Sequence, residues 1–184
     1  MATLPDCDHL AALTGLFYDD PAQLGQFAEV TANRLPPAYR QLLAHEHHMT
    51  VAVEAFHGGP VDVRVLNTRM DGDLYARKIL LCRQRDAQVV QFGIMRLGFA
   101  HVDPEVRREV ESQQAPLGRI LIRHNVLRVI RLLKLWRVTL GPELAALFGL
   151  PPGTVTYGRT AVIDCNGQPA VELLEIVTPV GGDK

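Results

Sequence analysis

The chain has 184 residues, a length that suits one domain and allows a substantial buried core. Hydrophobic residues make up 47% of it and charged residues 21%, a balance that excludes intrinsic disorder. The formal net charge of −1 excludes a strong overall field that would draw the protein to nucleic acid or to an anionic membrane. We therefore expect a single globular domain over residues 1–184.

The first 45 residues are predicted to form a helical extension that packs on the rest of the domain. Leu10–Phe17 is a short apolar run. Asp20 and Pro21 form a typical helix start, a capping side chain before a proline, and they predict a helix over Ala22–Leu35. A proline pair ends that pattern, and Ala38–His45 is predicted to be one more helix.

From Met49 onward the apolar residues alternate with a period of two, which is typical of strands. The predicted strands are Thr50–Phe56, Val61–Leu66, Leu74–Leu81 and Val89–Leu97. Because their connections are short, an antiparallel meander is favoured over strand–helix–strand units.

The second half of the chain mixes both kinds of element. Helices are predicted at Asp103–Ser112, Pro116–Arg119 and Gly141–Phe148, and strands at Val126–Thr139, Thr154–Asp164 and Ala170–Thr178. The last two strands are joined by an Asn-Gly turn and should form a hairpin. The fold class is therefore α+β, a single antiparallel sheet of about six strands with surrounding helices.

Arg77 lies in a strand whose two faces are both mostly apolar. Alternation places it on one face with Tyr75, Ile79 and Leu81. A guanidinium buried there needs an anionic partner, because an unpaired buried charge costs several kcal/mol. Either a protein carboxylate or a ligand would serve as that partner.

Glu175 is a carboxylate among aliphatic side chains, since alternation in the last strand groups it with Leu173 and Val177. Such a group suits acid–base or hydrogen-bonding work, and a structural ion pair is the alternative. The start of the predicted helix at Pro116–Arg119 combines free backbone N–H groups with a guanidinium, a combination that suits an anion.

The run His45–His48 contains three histidines and a glutamate, which invites a metal-binding interpretation. Its spacing is not that of an HExxH motif, and neighbours two apart on a helix do not share a face, so a solvated helix end is the preferred interpretation. The basic residues of Arg123–Arg137 lack interleaved base-stacking aromatics, and a solvated edge is preferred there over nucleic-acid binding.

The three cysteines, Cys7, Cys82 and Cys165, are odd in number and widely separated. This argues against a disulfide framework and for a reducing compartment. No apolar run is long enough to span a bilayer, and the N-terminus lacks the segments of a signal peptide. We expect a cytoplasmic protein that contacts neither membrane nor nucleic acid.

Several short motifs together resemble one known family. They are His48-Met49-Thr50, Tyr75 to Leu81, Pro116 to Arg119, Tyr157-Gly158-Arg159, and Gly167-Gln168-Pro169 followed by Glu175 and Pro179. In this order they resemble the chorismate pyruvate-lyases (4-hydroxybenzoate synthases), particularly the divergent chorismate lyase-like branch. The resemblance runs from about Leu42 to Pro179.

The resemblance implies an enzyme without a cofactor that eliminates pyruvate from chorismate and holds the 4-hydroxybenzoate product inside the sheet. Catalysis would rest on Arg77, which binds a substrate carboxylate, and on Glu175, which bonds the 4-hydroxyl of the ring. The other substrate-binding residues would be Met49, Leu117, Gly118, Arg119 and Arg159.

The sequence departs from the family at His48, in a longer Gly141–Pro152 segment and in its N-terminal extension. These departures leave the exact substrate open. One alternative is a non-catalytic domain of the same fold that binds an aromatic acid, as in effector domains of transcription regulators. Such domains usually follow a helix-turn-helix, for which the first 45 residues are too short and too neutral. A metal-dependent enzyme using the histidine run is the second alternative.

Overall fold

The computed structural model describes residues 8–181. Its strands are β1 (Gly25–Val30), β2 (Val61–Asp71), β3 (Leu74–Arg83), β4 (Val89–Gly98), β5 (Arg128–Leu140), β6 (Val155–Cys165) and β7 (Gln168–Val177). Over the described residues these seven strands form one sheet in the order β1-β5-β6-β7-β4-β3-β2. Every neighbouring pair is antiparallel.

The helices are α1 (His9–Thr14), α2 (Pro37–Leu43), α3 (Met49–His57), α4 (Pro104–Glu111), α5 (Leu117–Arg123) and α6 (Pro142–Phe148). Single 3-10 turns lie at Pro21–Gln23, Ala32–Arg34 and Phe99–His101. Within residues 8–181 none of the helices has the length and apolarity needed to cross a bilayer. The predicted α+β class with a single antiparallel sheet is confirmed, with seven strands where about six were expected.

The helices cover both faces of the sheet. On one face, here called the front, α2 and α3 pack over Ile79 and Leu81, and α4 and α5 pack over Tyr75 and Met95. On the back face, α1 and α6 pack over alternate residues of the same strands, including Leu80. This arrangement explains why β3 and β4 are apolar on both sides.

The helix predicted over Ala22–Leu35 is wrong, because most of that segment contributes β1 and a 3-10 turn. The side chain of Asp20 does accept from the Ala22 N–H at 3.0 Å, but only one 3-10 turn follows. Gly25 then adopts a φ of +142°, and a Cβ there would lie 2.1 Å from the carbonyl oxygen of Thr139. The close approach to β5 requires glycine and diverts the chain from a helix into the edge strand.

The strand predicted over Thr50–Phe56 is also wrong, because these residues lie in α3. Its buried residues Met49 and Val53 are four positions apart, which is helical spacing. Gly58 ends the helix in the left-handed conformation (φ 68°), where the sequence analysis placed a turn between two strands. The alternating valines favoured the wrong period because Val51 is exposed.

Candidate ligand-binding site

A partly enclosed cavity of about 60 Å³ lies on the front face, between the two apolar clusters under α3 and α5. Strands β3, β4, β6 and β7 form its floor, and the first residues of α3 and α5 cover it. Met49, Ile79 and Met95 are among its apolar lining residues. The cavity therefore lies at the centre of the sheet.

Arg77 projects from β3 into this cavity and is only 2% exposed. Its Nη2 donates to the carbonyl oxygen of Ala115 at 3.3 Å. Its Nε and Nη1 have no hydrogen-bond partner among the described residues, and no carboxylate of residues 8–181 forms an ion pair with it. The protein thus keeps a buried cation facing a cavity with most of its donors unused.

The surroundings of Arg77 disfavour its charge. Burial lowers the pKa of Arg77, and only the nearby Tyr75 opposes that shift. The Tyr75 hydroxyl is itself buried and makes no hydrogen bond of acceptable geometry to any described residue. An arginine keeps its proton in a protein, so the unfavourable desolvation persists until an anion reaches it.

Glu175 also lines the cavity, but it already has a cation. The Nε of Arg159 donates to its Oε2 at 2.7 Å, and the Arg159 side chain is 1% exposed. The structural ion pair that the sequence left open is therefore formed. Its partner is Arg159 and not Arg77.

The pairing of Arg159 with Glu175 follows from the register of β6 and β7, which places the two residues opposite each other. At the neighbouring Gly158 a Cβ would lie 2.7 Å from the carbonyl oxygen of Glu175, so the two strands approach closely there. Arg159 also donates to the carbonyl oxygens of His45 (2.8 Å) and His47 (3.0 Å). All three of its nitrogens therefore donate to protein acceptors.

His48 closes the cavity on the side of the surface. It is 8% exposed and borders both the cavity and an open surface groove. Its Nε2 accepts from the Nε of Arg128 at 2.7 Å, and a Cβ on Gly118 would lie 3.1 Å from its Nδ1. Burial lowers the pKa of His48 to about 4, with further contributions from Arg128 and Arg159. The ring is neutral at pH 7.

Of the binding residues named from the resemblance, Met49, Leu117 and Gly118 line the cavity. Arg119 does not, because its guanidinium pairs with Glu54 and donates to the carbonyl oxygen of Val61 at 3.2 Å. The structure thus brings six of the seven predicted site residues to one cavity and places the seventh outside it. Their roles stay predictions.

Gln91 and Gly93 line the cavity and were not identified from the sequence. Both belong to β4, where alternation groups them with Met95 on the front face. A glutamine within the apolar run of Val89–Leu97 was a usable signal, because a buried amide needs partners. The Oε1 of Gln91 has none among the described residues.

The histidine run does not form a metal site of the ordinary kind. Within residues 8–181 no group of three or more His, Cys, Asp or Glu residues is arranged to hold a metal ion. The Nε2 of His45 bonds the carbonyl oxygen of Leu42 at 2.7 Å, and its Nδ1 accepts from the His47 N–H. Burial lowers the pKa of His45 as well, helped by Arg159.

The basic residues of β5 mostly have partners. Arg131 pairs with Asp164 at 2.9 Å and Lys134 with Glu29 at 3.0 Å, while Arg128 donates to His48. The first two pairs lie between neighbouring strands of the sheet.

Several solved structures are similar to this chain in fold. The effector domain of PhnF from Mycobacterium smegmatis matches with a TM-score of 0.53 at 15% identity, over 71% of this chain and 88% of that one. A longer PhnF structure from the same organism matches with a TM-score of 0.52 at 15% identity, over 74% of this chain and 69% of that one. The ligand-binding domain assigned to a GntR-family transcriptional regulator from Bordetella bronchiseptica matches with a TM-score of 0.51 at 18% identity. The match covers 64% of this chain and 85% of that one.

At these identities the similarity establishes the fold. No family model matches the chain, and no curated protein matches it. The sequence resemblance to the chorismate lyases is thus supported only at the level of a related fold.

The predicted lyase activity is wrong. The similar solved structures named above are described as an effector domain and as a regulator's ligand-binding domain, and none of them is described as a lyase. In the site itself, one carboxylate oxygen of Glu175, Oε2, is already bonded by Arg159.

Proposed function

We propose that this chain is a non-catalytic binding domain for a small organic anion that pairs with Arg77. The observation that carries the proposal is the state of that side chain, which is 2% exposed, faces a cavity and has Nε and Nη1 without partners among residues 8–181. A ligand carboxylate would accept from one of these two nitrogens together with the second N–H of Nη2, and such a pair of parallel bonds suits a guanidinium and not an ammonium group.

The rest of the cavity lining favours an anion that also carries an apolar, carbon-rich portion. Its lining is mainly aliphatic and includes Met49, Leu117 and Met95, which would pack against carbon atoms and exclude water. An aromatic acid is the class we favour. A cavity of about 60 Å³ is smaller than the roughly 150 Å³ that accommodates benzene, so the flexible methionines must move to admit a ring.

The similar solved structures support a sensing role. One is called an effector domain and another the ligand-binding domain of a transcriptional regulator. A domain that binds a metabolite without converting it needs an anchor and a closed apolar cavity, but no free acid–base group. Arg77 and its surroundings supply the anchor and the cavity.

The test compares Arg77→Met with Arg137→Met, an exposed arginine on β5 that serves as the matched control. Benzoate is the anionic probe and benzamide its neutral counterpart, and thermal unfolding with calorimetry is the measurement. We expect benzoate but not benzamide to stabilise the wild type and Arg137→Met, and neither compound to stabilise Arg77→Met.

The same variants also test a prediction about the stability of the protein without ligand. Because Arg77→Met removes a buried charge that lacks a counter-ion, it should raise the free energy of unfolding by about 1–3 kcal/mol. A large loss of stability would instead show that Arg77 has a structural role. Equal binding of benzoate and benzamide, or benzoate binding that survives Arg77→Met, would contradict the proposed function.

A further inference from the structure

The cavity has a second polar group whose hydrogen-bonding capacity is unused. Gln91 is 2% exposed, lines the cavity and has an Oε1 without a partner among the described residues. A buried amide in that condition is destabilising, so its presence in an apolar strand calls for an explanation, and a partner outside the protein would provide one.

Gln91 and Arg77 lie at opposite ends of the cavity floor. Arg77 is paired with Met95 on β4, and Gln91 is paired with Leu81 on β3. The two ends are four residues apart along β4, which corresponds to about 13 Å at the usual rise of a strand. A ligand that reached both the Arg77 guanidinium and the Gln91 amide would contact them with different parts of its structure.

The floor between these ends is left open by Gly93, which lies opposite Ile79 on β3 and Glu175 on β7. A Cβ on Gly93 would meet the Ile79 side chain at 3.4 Å. Any longer side chain at this position would fill the space between Arg77 and Gln91. A ligand body that spans both groups would lie over Gly93.

We propose that Gln91 determines specificity by bonding a hydroxyl group at the end of the ligand opposite its anionic group; this rests on the proposed anion site at Arg77. A hydroxyl satisfies both halves of the amide, since it donates to Oε1 and accepts from Nε2. Glu175 is the competing acceptor, but its Oε2 is bonded by Arg159 at 2.7 Å. The ligand class is a hydroxy acid whose two polar groups are separated by an apolar body.

The experiment uses two pairs of acids that differ by one hydroxyl, benzoate with 4-hydroxybenzoate and hexanoate with 6-hydroxyhexanoate. Calorimetry gives the affinity of each for the wild type, Gln91→Leu and Gln168→Leu, the last being an exposed glutamine in β7. We expect the hydroxy acid of at least one pair to bind about tenfold tighter to the wild type and to Gln168→Leu. In Gln91→Leu that ratio should fall to about one while the parent acid binds as before.

A second measurement needs no ligand. If the Gln91 amide has no protein partner, Gln91→Leu should unfold at the same temperature as the wild type or higher. A clear drop in the unfolding temperature, with Gln168→Leu unchanged, would show that the amide has a structural partner and would overturn the inference.

The outcomes separate the two proposals. Acids that bind through Arg77 without preference for the hydroxyl, or with a preference that survives Gln91→Leu, overturn the role of Gln91 and leave the anion site standing. The second of these results would assign the hydroxyl to Glu175. If none of the four acids binds to the wild type, the proposed function fails and the inference fails with it.

Discussion

Two buried guanidinium groups on the same face of the sheet differ in what surrounds them. Arg159 donates to a carboxylate and to two carbonyl oxygens, and these contacts hold the segment before α3 against the sheet. Arg77 donates to one carbonyl oxygen and otherwise faces the cavity. The fold alone explains the first arginine, whereas the second keeps two nitrogens without hydrogen-bond partners among residues 8–181, which the proposed anion would satisfy. This contrast is why Arg77 carries the proposal.

The neutral ring of His48 makes the stability of the protein sensitive to acid. The unfolded chain protonates this side chain near pH 6.5, whereas in the folded protein its pKa is lowered to about 4 by burial, Arg128 and Arg159. Between these values the unfolded state binds more protons, so the free energy of unfolding falls as the pH falls. We expect His48 alone to lower it by about 2 kcal/mol between pH 7.5 and pH 5.

Urea unfolding at the two pH values checks this expectation. His48→Gln keeps an acceptor for Arg128 but does not titrate, so it should lose less stability on acidification than the wild type by about that amount. His101→Gln, at an exposed position, is the control. The comparison between variants is needed because the pKa of His45 and of His57 is also lowered, mainly by burial. An unchanged acid sensitivity in His48→Gln would refute the assignment.

At the scale of elements, α3 and α5 meet where Gly118 contacts the His48 ring. An alanine Cβ at Gly118 would lie 3.1 Å from Nδ1 and 3.2 Å from the ring carbon Cγ. The ring cannot easily retreat, because Arg128 holds its Nε2 at 2.7 Å. We expect Gly118→Ala to destabilise the protein by about 1 kcal/mol, even though alanine favours a helix over glycine by a similar amount.

A double-mutant cycle isolates this contact. In a His48→Ala background the obstruction is gone, so Gly118→Ala should become neutral or stabilising. Denaturant unfolding of the four proteins gives the coupling free energy, which we expect to be about 1 kcal/mol or more. Additive effects would mean that α5 adjusts independently of His48.

Some helices and strands could be predicted from the sequence and others could not, for physical reasons. Val61–Leu66, Leu74–Leu81 and Val89–Leu97 all lie within observed strands. The first alternates between its two faces, and the other two are short apolar runs bounded by turns, as strands covered on both faces are. The two errors, Ala22–Leu35 and Thr50–Phe56, arose where tertiary contacts decide the conformation. A glycine approaching β5 overrides a good helix start, and an exposed valine imitates strand alternation.

In the site, too, the features that depend on one segment could be predicted, and those that depend on contacts between segments could not. The burial of Arg77 could be read from alternation within one strand, and the contribution of Met49 and Leu117 came from motif resemblance. The pairing of Glu175 with Arg159 could not be derived, because it depends on the register between two strands. That register gives the Glu175 carboxylate a protein cation as its partner, which alternation within one strand could not reveal.

At the scale of the whole molecule, the N-terminal segment is built into the sheet. β1 pairs with β5 along its length, and Phe27 makes an edge-on contact with Trp136, their ring centroids 6.3 Å apart. Tyr18 donates to Glu143 of α6 at 2.8 Å, and both contact Lys78 of β3. These contacts predict that the segment unfolds together with the rest.

Gly25→Ala tests this prediction because its Cβ would collide with the Thr139 carbonyl oxygen. Gly59→Ala is the matched control, since nothing lies within 4 Å of its Cβ. We expect only Gly25→Ala to lower the unfolding midpoint markedly. Its free energy of unfolding should fall by about 3 kcal/mol or more. Trp136, the one tryptophan of the sequence, reports on β1 by fluorescence, and its transition should coincide with that of far-UV circular dichroism. An earlier fluorescence transition would mark a separable extension.

The buried charge of Arg77 also bears on how long the protein would survive in a cell. A ligand that neutralises it binds only the folded state, so at a hundredfold excess over its dissociation constant it would add about 2.7 kcal/mol to the free energy of unfolding. Proteases that cleave transiently opened chains would then degrade the occupied protein about a hundredfold more slowly. The amount of this protein in the cell would therefore rise with the concentration of the ligand. That response would be separate from any conformational change that the ligand causes.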